Sequence, residues 1–97
     1  MVSKVYWTRR ARADLRGIRD HIAQDAPDAA RSFVQAIIDS TDRLQKFPLS
    51  GQVVPELDRT EIREVLRGSY RVIYRVQRDR VEILTVYHGA RVLDEGF

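Results

Sequence analysis

The stretch that decides the fold is residues 68–76, GSYRVIYRV, which alternates two kinds of residue almost without exception. Side chains of a β-strand point alternately to opposite faces, so this stretch predicts a strand with one aromatic and aliphatic face and one cationic face. The pattern raises the question of whether solvent or an anionic group contacts the two arginines. The first face comprises Tyr70, Val72, Tyr74 and Val76, and the second comprises Arg71, Ile73 and Arg75.

The flanking sequence repeats this period of two, so we predict that the last third of the chain forms neighbouring strands. They are expected at about residues 61–66, 70–77 and 81–87. The turns at residues 68–69 and 78–79 are short enough for antiparallel hairpins. The third strand alternates in the same way, and some of its residues are expected to share a face with the two arginines. The alternating residues, some of which are expected on that face, are Glu82, Leu84, Val86 and His88.

The first half of the chain follows the helical period of 3.6 instead. A short strand is expected at residues 4–8, and Thr8 is suited to cap the helix that follows it. This first helix, over roughly residues 9–25, carries an apolar stripe. Pro27 suits the first turn of a second helix that ends at Pro48. The apolar stripe consists of Ala11, Leu15, Ile18 and Ile22.

The resulting element order is β-α-α-β-β-β. We therefore predict an α+β fold in which a helical hairpin packs on one face of a small antiparallel sheet. Residues 1–97 are expected to form one domain, because single domains usually contain about 50–200 residues. Since the helices cover the apolar side of the sheet, the side with Arg71, Ile73 and Arg75 is expected to be accessible.

Composition excludes several kinds of site. The chain has no cysteine and two histidines, so disulfides, thiolate nucleophiles and a protein-built metal site are not expected. No glycine-rich motif indicates a nucleotide cofactor. No apolar run approaches the roughly 18 residues that span a bilayer, and the first residues lack a secretory apolar segment. We therefore expect a cytoplasmic protein that uses no metal or cofactor.

Positive charge is concentrated in two stretches of the chain, residues 1–25, with six basic and three acidic residues, and residues 59–80. The net charge is +3, and residues 59–80 contain seven arginines against three acidic residues. The guanidinium group matches carboxylates and phosphates in geometry, so this concentration favours an acidic partner. The candidates for contact with such a partner are Arg63, Arg71, Ile73 and Arg75.

Three interpretations of these residues remain open from the sequence pattern alone. Cleavage of RNA through its 2′-hydroxyl needs an acid or base and cations, which Arg71, His88 and Arg91 can supply. A binding module would instead use the arginine face to hold an acidic peptide. The third interpretation is structural, in which the strand arginines form ion pairs with acids on neighbouring strands. The candidate acids are Glu64 and Glu82.

Three longer patterns occur in order along the chain. Residues 7–27 are WTRRARADLRGIRDHIAQDAP and contain A-x-x-D-L. Residues 28–51 are DAARSFVQAIIDSTDRLQKFPLSG and end in L-x-x-x-P-x-x-G. Residues 62–91 are IREVLRGSYRVIYRVQRDRVEILTVYHGAR and contain I-R-E, YRVIYRV and H-x-x-R. Together they resemble the RelE/ParE superfamily of bacterial toxins, which belong to type II toxin–antitoxin (plasmid stabilisation) modules.

This resemblance implies the same α+β fold and a function as the toxin of such a module. It also implies a cognate antitoxin, ParD-like or of another class, which has an acidic segment that folds over the toxin. Toxin and antitoxin would then form a hetero-oligomer, and no membrane partner is expected.

The superfamily has two branches that differ in target. RelE-like members cut mRNA in the ribosomal A site with lysines, arginines and a tyrosine or histidine near the C-terminus, whereas ParE-like members poison DNA gyrase. Arg71, Arg91 and His88 fit the RelE-like pattern. However, the preceding strand lacks the expected lysines and carries Glu64, and no tyrosine follows Arg91. These departures favour a ParE-like gyrase poison over a ribosome-dependent endoribonuclease.

Overall fold

The structure, a computed structural model, describes residues 3–93 and Gly96. It contains two α-helices, one turn of 3₁₀-helix and five β-strands. The helices are α1 (Arg9–Ala23), α2 (Pro27–Asp42) and the 3₁₀ turn (Arg43–Gln45). The strands are β1 (Lys4–Trp7), β2 (Gln52–Val53), β3 (Ile62–Arg67), β4 (Tyr70–Val76) and β5 (Arg80–His88).

The five strands form one sheet in the order β1-β5-β4-β3-β2. The predicted α+β fold, with a helical hairpin on one face of the sheet, is confirmed. The sheet is mixed rather than wholly antiparallel, because β1 pairs with β5 in parallel and the other three pairs are antiparallel. Strand β2 was not predicted, since its two residues are too few to show a period.

Helix α1 begins where Thr8 ties the chain to the sheet. The Thr8 side chain accepts a hydrogen bond from the amide of Ala11 and donates one to the carbonyl of Ile83, at 3.1 and 2.8 Å. The predicted cap is therefore confirmed, and it also fixes the start of α1 against β5. Pro27 lies in the first turn of α2, as predicted.

The main core fills the space between the helical hairpin and the sheet. The predicted alternation of β4 is confirmed here, because Val72 and Tyr74 are completely buried and face the helices. The apolar stripe of α1 contributes Ala11, Leu15 and Ile18. The other fully buried members are Ile37, Leu44, Val81 and Ile83.

A second, smaller core lies on the opposite face of the sheet, which we expected to be accessible. Residues 54–61, here called the covering loop, place Val54 and Leu57 over Ile73. Ile73 is completely buried as a result. The expectation of an accessible face was therefore wrong for the part of the sheet that this loop covers. The remaining members of this core are Ile62, Leu84 and Leu93.

A β-bulge in β5 determines which face its last residues occupy. Ile73 pairs with Thr85 and Tyr74 with Ile83, so Leu84 has no partner on β4. The extra residue reverses the alternation along β5. Ile83 and Val86, three positions apart, both contact the main core, and Leu84 joins the second core.

None of the helices among the described residues is long and apolar enough to cross a membrane.

Neighbouring isoleucines on α2 provide a test of the main core. Ile37 is completely buried, whereas Ile38 is 37% exposed. Ile37→Ala should lower the free energy of unfolding by about 2–5 kcal/mol, because it leaves a cavity. Ile38→Ala, the matched control, should lower it by less than about 1 kcal/mol. Urea unfolding of both variants measures the difference, and equal losses would contradict the placement of Ile37 in the core.

Candidate functional site

Arg71 forms the centre of a cluster of charges on the face of the sheet opposite the helices. Its Nε donates a hydrogen bond to Glu64 at 2.5 Å, and its two Nη atoms donate to the two oxygens of Glu56 at 2.7 and 2.8 Å. The Arg71 side chain is 11% exposed. We call these three residues the Arg71 network. Bidentate hydrogen bonding between an arginine and a carboxylate, as between Arg71 and Glu56, is among the strongest kinds of ion pair.

Glu64 is the buried member of the network. Its side chain is 3% exposed, and it lies on β3 beside the strand that carries Arg71. One oxygen accepts from Arg71, and the other accepts from the side-chain amide of Gln52 on β2 at 3.1 Å. Both carboxylate oxygens therefore have donors, as a buried charge requires.

Glu56 is the exposed member, and it reaches the network from the covering loop. Its side chain is 42% exposed. Hydrogen bonding to Arg71 lowers the pKa of Glu56 from 4.5 to about 2. The same carboxylates raise the pKa of Arg71 above its ordinary value, with the hydrogen bond to Glu56 as the main cause. Glu56 and Arg71 therefore keep their charges throughout the neutral pH range.

The other predicted contact candidates also have partners within the chain. Arg75 lies 3.8 Å from Glu82. Arg63 donates hydrogen bonds to the carbonyls of Thr60 and Gly51 at 3.0 and 2.9 Å. The ion pairs that the structural interpretation named, Arg71 with Glu64 and Arg75 with Glu82, are both present. The contact with Glu56 was not predicted, because no period or motif marks a residue of an irregular loop.

The L-x-x-x-P-x-x-G pattern forms the start of this loop region. The buried hydroxyl of Tyr74 donates to the carbonyl of Pro48 and accepts from the amide of Gly51, at 2.8 and 2.9 Å. A Cβ atom at Gly51 would lie 2.5 Å from that hydroxyl oxygen, so only glycine fits. Burial raises the pKa of Tyr74. This pattern is therefore explained by packing of the loop on β4.

His88 lies on the helix side of the sheet, because the bulge in β5 reverses the alternation. Its ring packs edge-on against Tyr70, its pairing partner on β4, with centroids 5.1 Å apart. Its Nδ1 accepts a hydrogen bond from the amide of Ala90 at 3.1 Å. Arg71 pairs instead with Tyr87. Of the alternating residues of β5, Glu82 and Leu84 therefore share the arginine face, as expected for some of them, whereas His88 does not.

Two clefts meet at the end of the sheet where His88 lies. The first, of about 790 Å³, is lined by Arg71, Glu56, Glu64 and His88, among others. The second, of about 900 Å³, lies between α1 and β5 and is lined by His88 and Arg91, among others. The three candidate catalytic residues are thus divided: Arg71 contributes to the first cleft, Arg91 to the second and His88 to both.

Asp14, the acid of the A-x-x-D-L pattern, has a structural position that residue types alone did not indicate. It accepts hydrogen bonds from the Thr85 hydroxyl at 2.5 Å and from the Val86 amide at 3.2 Å. Asp14 thus provides hydrogen-bond partners for the part of β5 that β1, which ends at Trp7, does not reach. The described residues contain no group of three or more potential metal ligands.

The lowered pKa of Glu56 predicts how stability depends on pH. Because folding lowers this pKa, the ion pair with Arg71 stabilises the protein above about pH 4.5 and is lost as the pH falls towards about 2. Glu56→Gln should therefore reduce the free energy of unfolding at pH 7, and the difference from the parent protein should shrink in acid. Since Glu56 is partly exposed, we expect a loss of about 1 kcal/mol at pH 7.

Urea unfolding at pH 7, 4 and 2.5 measures this effect. Glu61→Gln is the matched control, because Glu61 pairs with the exposed Arg59. A difference between Glu56→Gln and the parent protein that is the same at every pH would contradict the ion pair.

A double-mutant cycle tests whether Arg71 and Glu64 form one unit. Arg71→Met leaves the Glu64 charge buried without a cation, and should lower the free energy of unfolding by about 3–5 kcal/mol. Adding Glu64→Gln should restore part of that loss, with a coupling energy of about 1–3 kcal/mol. Arg75→Met is the control and should cost less than about 1 kcal/mol. Additive effects of the first two changes would contradict the network.

Comparisons with known proteins agree with this fold. The family model described as the ParE toxin of the type II toxin–antitoxin system, parDE, matches residues 5–93. Toxin RelE2 from Caulobacter vibrioides is 35% identical to the chain over 92 residues, which cover 94% of this chain and 100% of that protein.

Two solved structures are similar over most of the chain. The chromosomal ParDE toxin–antitoxin system from P. aeruginosa has a TM-score of 0.75 and 28% identity, and the match covers 90% of this chain and 96% of that one. The RelBE2 toxin–antitoxin complex from Mycobacterium tuberculosis has a TM-score of 0.65 and 26% identity, with coverage of 91% and 99%. The resemblance stated from the sequence is thereby confirmed. Because the family match extends from residue 5 to residue 93, this chain belongs to the ParE toxin family of type II toxin–antitoxin systems.

Proposed function

We propose that this toxin inhibits growth by binding DNA gyrase, without covalent chemistry of its own. The observation that carries the proposal is the Arg71 network. All three nitrogens of the guanidinium group donate to carboxylates of the chain itself. Three of the five N–H donors of Arg71, the strand arginine of the RelE-like pattern, are thus engaged by carboxylates, which neutralise its charge towards an incoming phosphate.

The charge of the first cleft also opposes RNA binding. Arg71 is the single arginine among its described lining residues, and it faces the carboxylates of Glu56 and Glu64. One positive and two negative charges give this cleft a local charge of −1. A ribonuclease needs excess cations to bind the RNA backbone and to stabilise the charge of the transition state.

A ribosome-dependent endoribonuclease is the second candidate, and the second cleft favours it. His88 and Arg91 line this cleft together, and His21 and Arg10 contribute to the same lining. A histidine close to arginines could exchange a proton while the arginines hold a phosphate. This constellation does not include Arg71, so a nuclease built here would depart from the RelE-like pattern.

We also propose that a cognate antitoxin neutralises this chain in a hetero-oligomer. Two similar structures are described as a ParDE system and as a RelBE2 toxin–antitoxin complex, which supports such a partner. Of the four predicted contact residues, Arg63 and Arg75 are partly exposed and remain candidates. Arg71 and Ile73 are poor candidates for direct contact, because the covering loop lies over them.

The decisive experiment is to induce the chain in cells without an antitoxin and to follow translation and DNA supercoiling. We expect protein synthesis to continue in the first minutes while plasmid supercoiling fails, and the purified chain should inhibit gyrase in vitro. The double variant His88→Ala/Arg91→Ala should retain this activity. Rapid collapse of protein synthesis with cleaved mRNA, abolished in that double variant, would instead establish the ribonuclease.

A further inference from the structure

We propose that helix α1 carries a surface that binds the phosphate backbone of duplex DNA. The surface is a row of four exposed arginines at spacings of three, four and three residues, which places them along one side of the helix. We call this row the arginine stripe. None of its residues lines either cleft, so the proposal does not depend on whether gyrase or the ribosome is the target. The stripe consists of Arg9, Arg12, Arg16 and Arg19.

The stripe consists mainly of unneutralised charge. Among the described residues, Arg9, Arg12 and Arg16 have no ion-pair partner, and Arg19 pairs with its neighbour Asp20 at 2.9 Å. This differs from the sheet face, where the network and the Arg75–Glu82 pair neutralise the arginines. The stripe is therefore the place in the described structure where a run of arginines remains available to a partner.

Folding of α1 does not explain this placement. Three of the first four residues of the helix are arginines, and its first turn contains no acidic residue. The positive end of the helix dipole disfavours each cation there. Like charges three or four residues apart disfavour the helix further. A ligand that carries many negative charges would compensate for this arrangement.

The surroundings of the stripe favour a nucleic acid over an acidic protein. Protein interfaces usually have an apolar or aromatic centre. The exposed large apolar residues of the described structure all lie outside α1. Binding to a phosphate backbone needs cations alone. Ten residues of helix extend about 15 Å, which is comparable to the rise of four or five phosphates along one DNA strand.

Fluorescence anisotropy of the full chain with a labelled duplex of random sequence tests the proposal. The triple variant Arg9→Gln/Arg12→Gln/Arg16→Gln should bind at least about tenfold more weakly at 0.1 M salt. The slope of its log K against the logarithm of the salt concentration should be shallower by about 2.7, which is about 0.9 for each lost phosphate contact. Circular dichroism of the variant checks that the helices remain.

The matched control is the triple variant Arg43→Gln/Arg67→Gln/Arg78→Gln. It removes the same charge from exposed positions outside α1, and we expect its affinity to change by less than about threefold. Equal loss in both triple variants would overturn the proposal, because net charge alone would then explain binding. Failure of the parent chain to bind DNA at 0.05 M salt would also overturn it. The proposal would likewise be overturned if the triple variant of the arginine stripe bound DNA as tightly as the parent chain but lost affinity for an acidic protein partner.

Discussion

The buried carboxylate of Glu64 is the constraint on which this face of the sheet depends. A charge that is 3% exposed is tolerated only where other groups neutralise and hydrogen-bond it. Arg71 on the next strand supplies the opposite charge, and Gln52 supplies a second donor. The two Nη atoms of Arg71 then remain, and the carboxylate of Glu56 accepts a hydrogen bond from each of them. One buried acid thus determines the positions of an arginine, a short edge strand and a loop.

The covering loop and the second core depend on each other. The loop buries Ile73 with its apolar residues, while its acid at position 56 binds Arg71, the neighbour of Ile73 in β4. Tyr74 and Arg63 hold the preceding segment through Gly51. Apolar burial and the contact with Arg71 therefore hold the covering loop, and polar contacts hold the segment directly before it.

Helices and strands with a clear hydrophobic period were predicted correctly from the sequence. The positions of residues that depend on contacts distant in the chain were not. Thr8 and Pro27 marked helix starts correctly, because capping and proline geometry are local. The bulge at Leu84 left no local signal, and it moved His88 to the helix side of the sheet. Glu56 lies in an irregular loop, so neither period nor spacing could predict its contact with Arg71.

Charge counted along the sequence differs from charge available at the surface. Five of the seven arginines of residues 59–80 contact an acid, a carbonyl or a side-chain amide within the described part of the chain. Such contacts use the same donors that a phosphate or an acidic partner would need. The segment with the largest excess of arginine is thus mainly structural. The cations of α1 are fewer but have fewer internal partners, so the surface that we propose to bind anions lies on α1 rather than on the sheet.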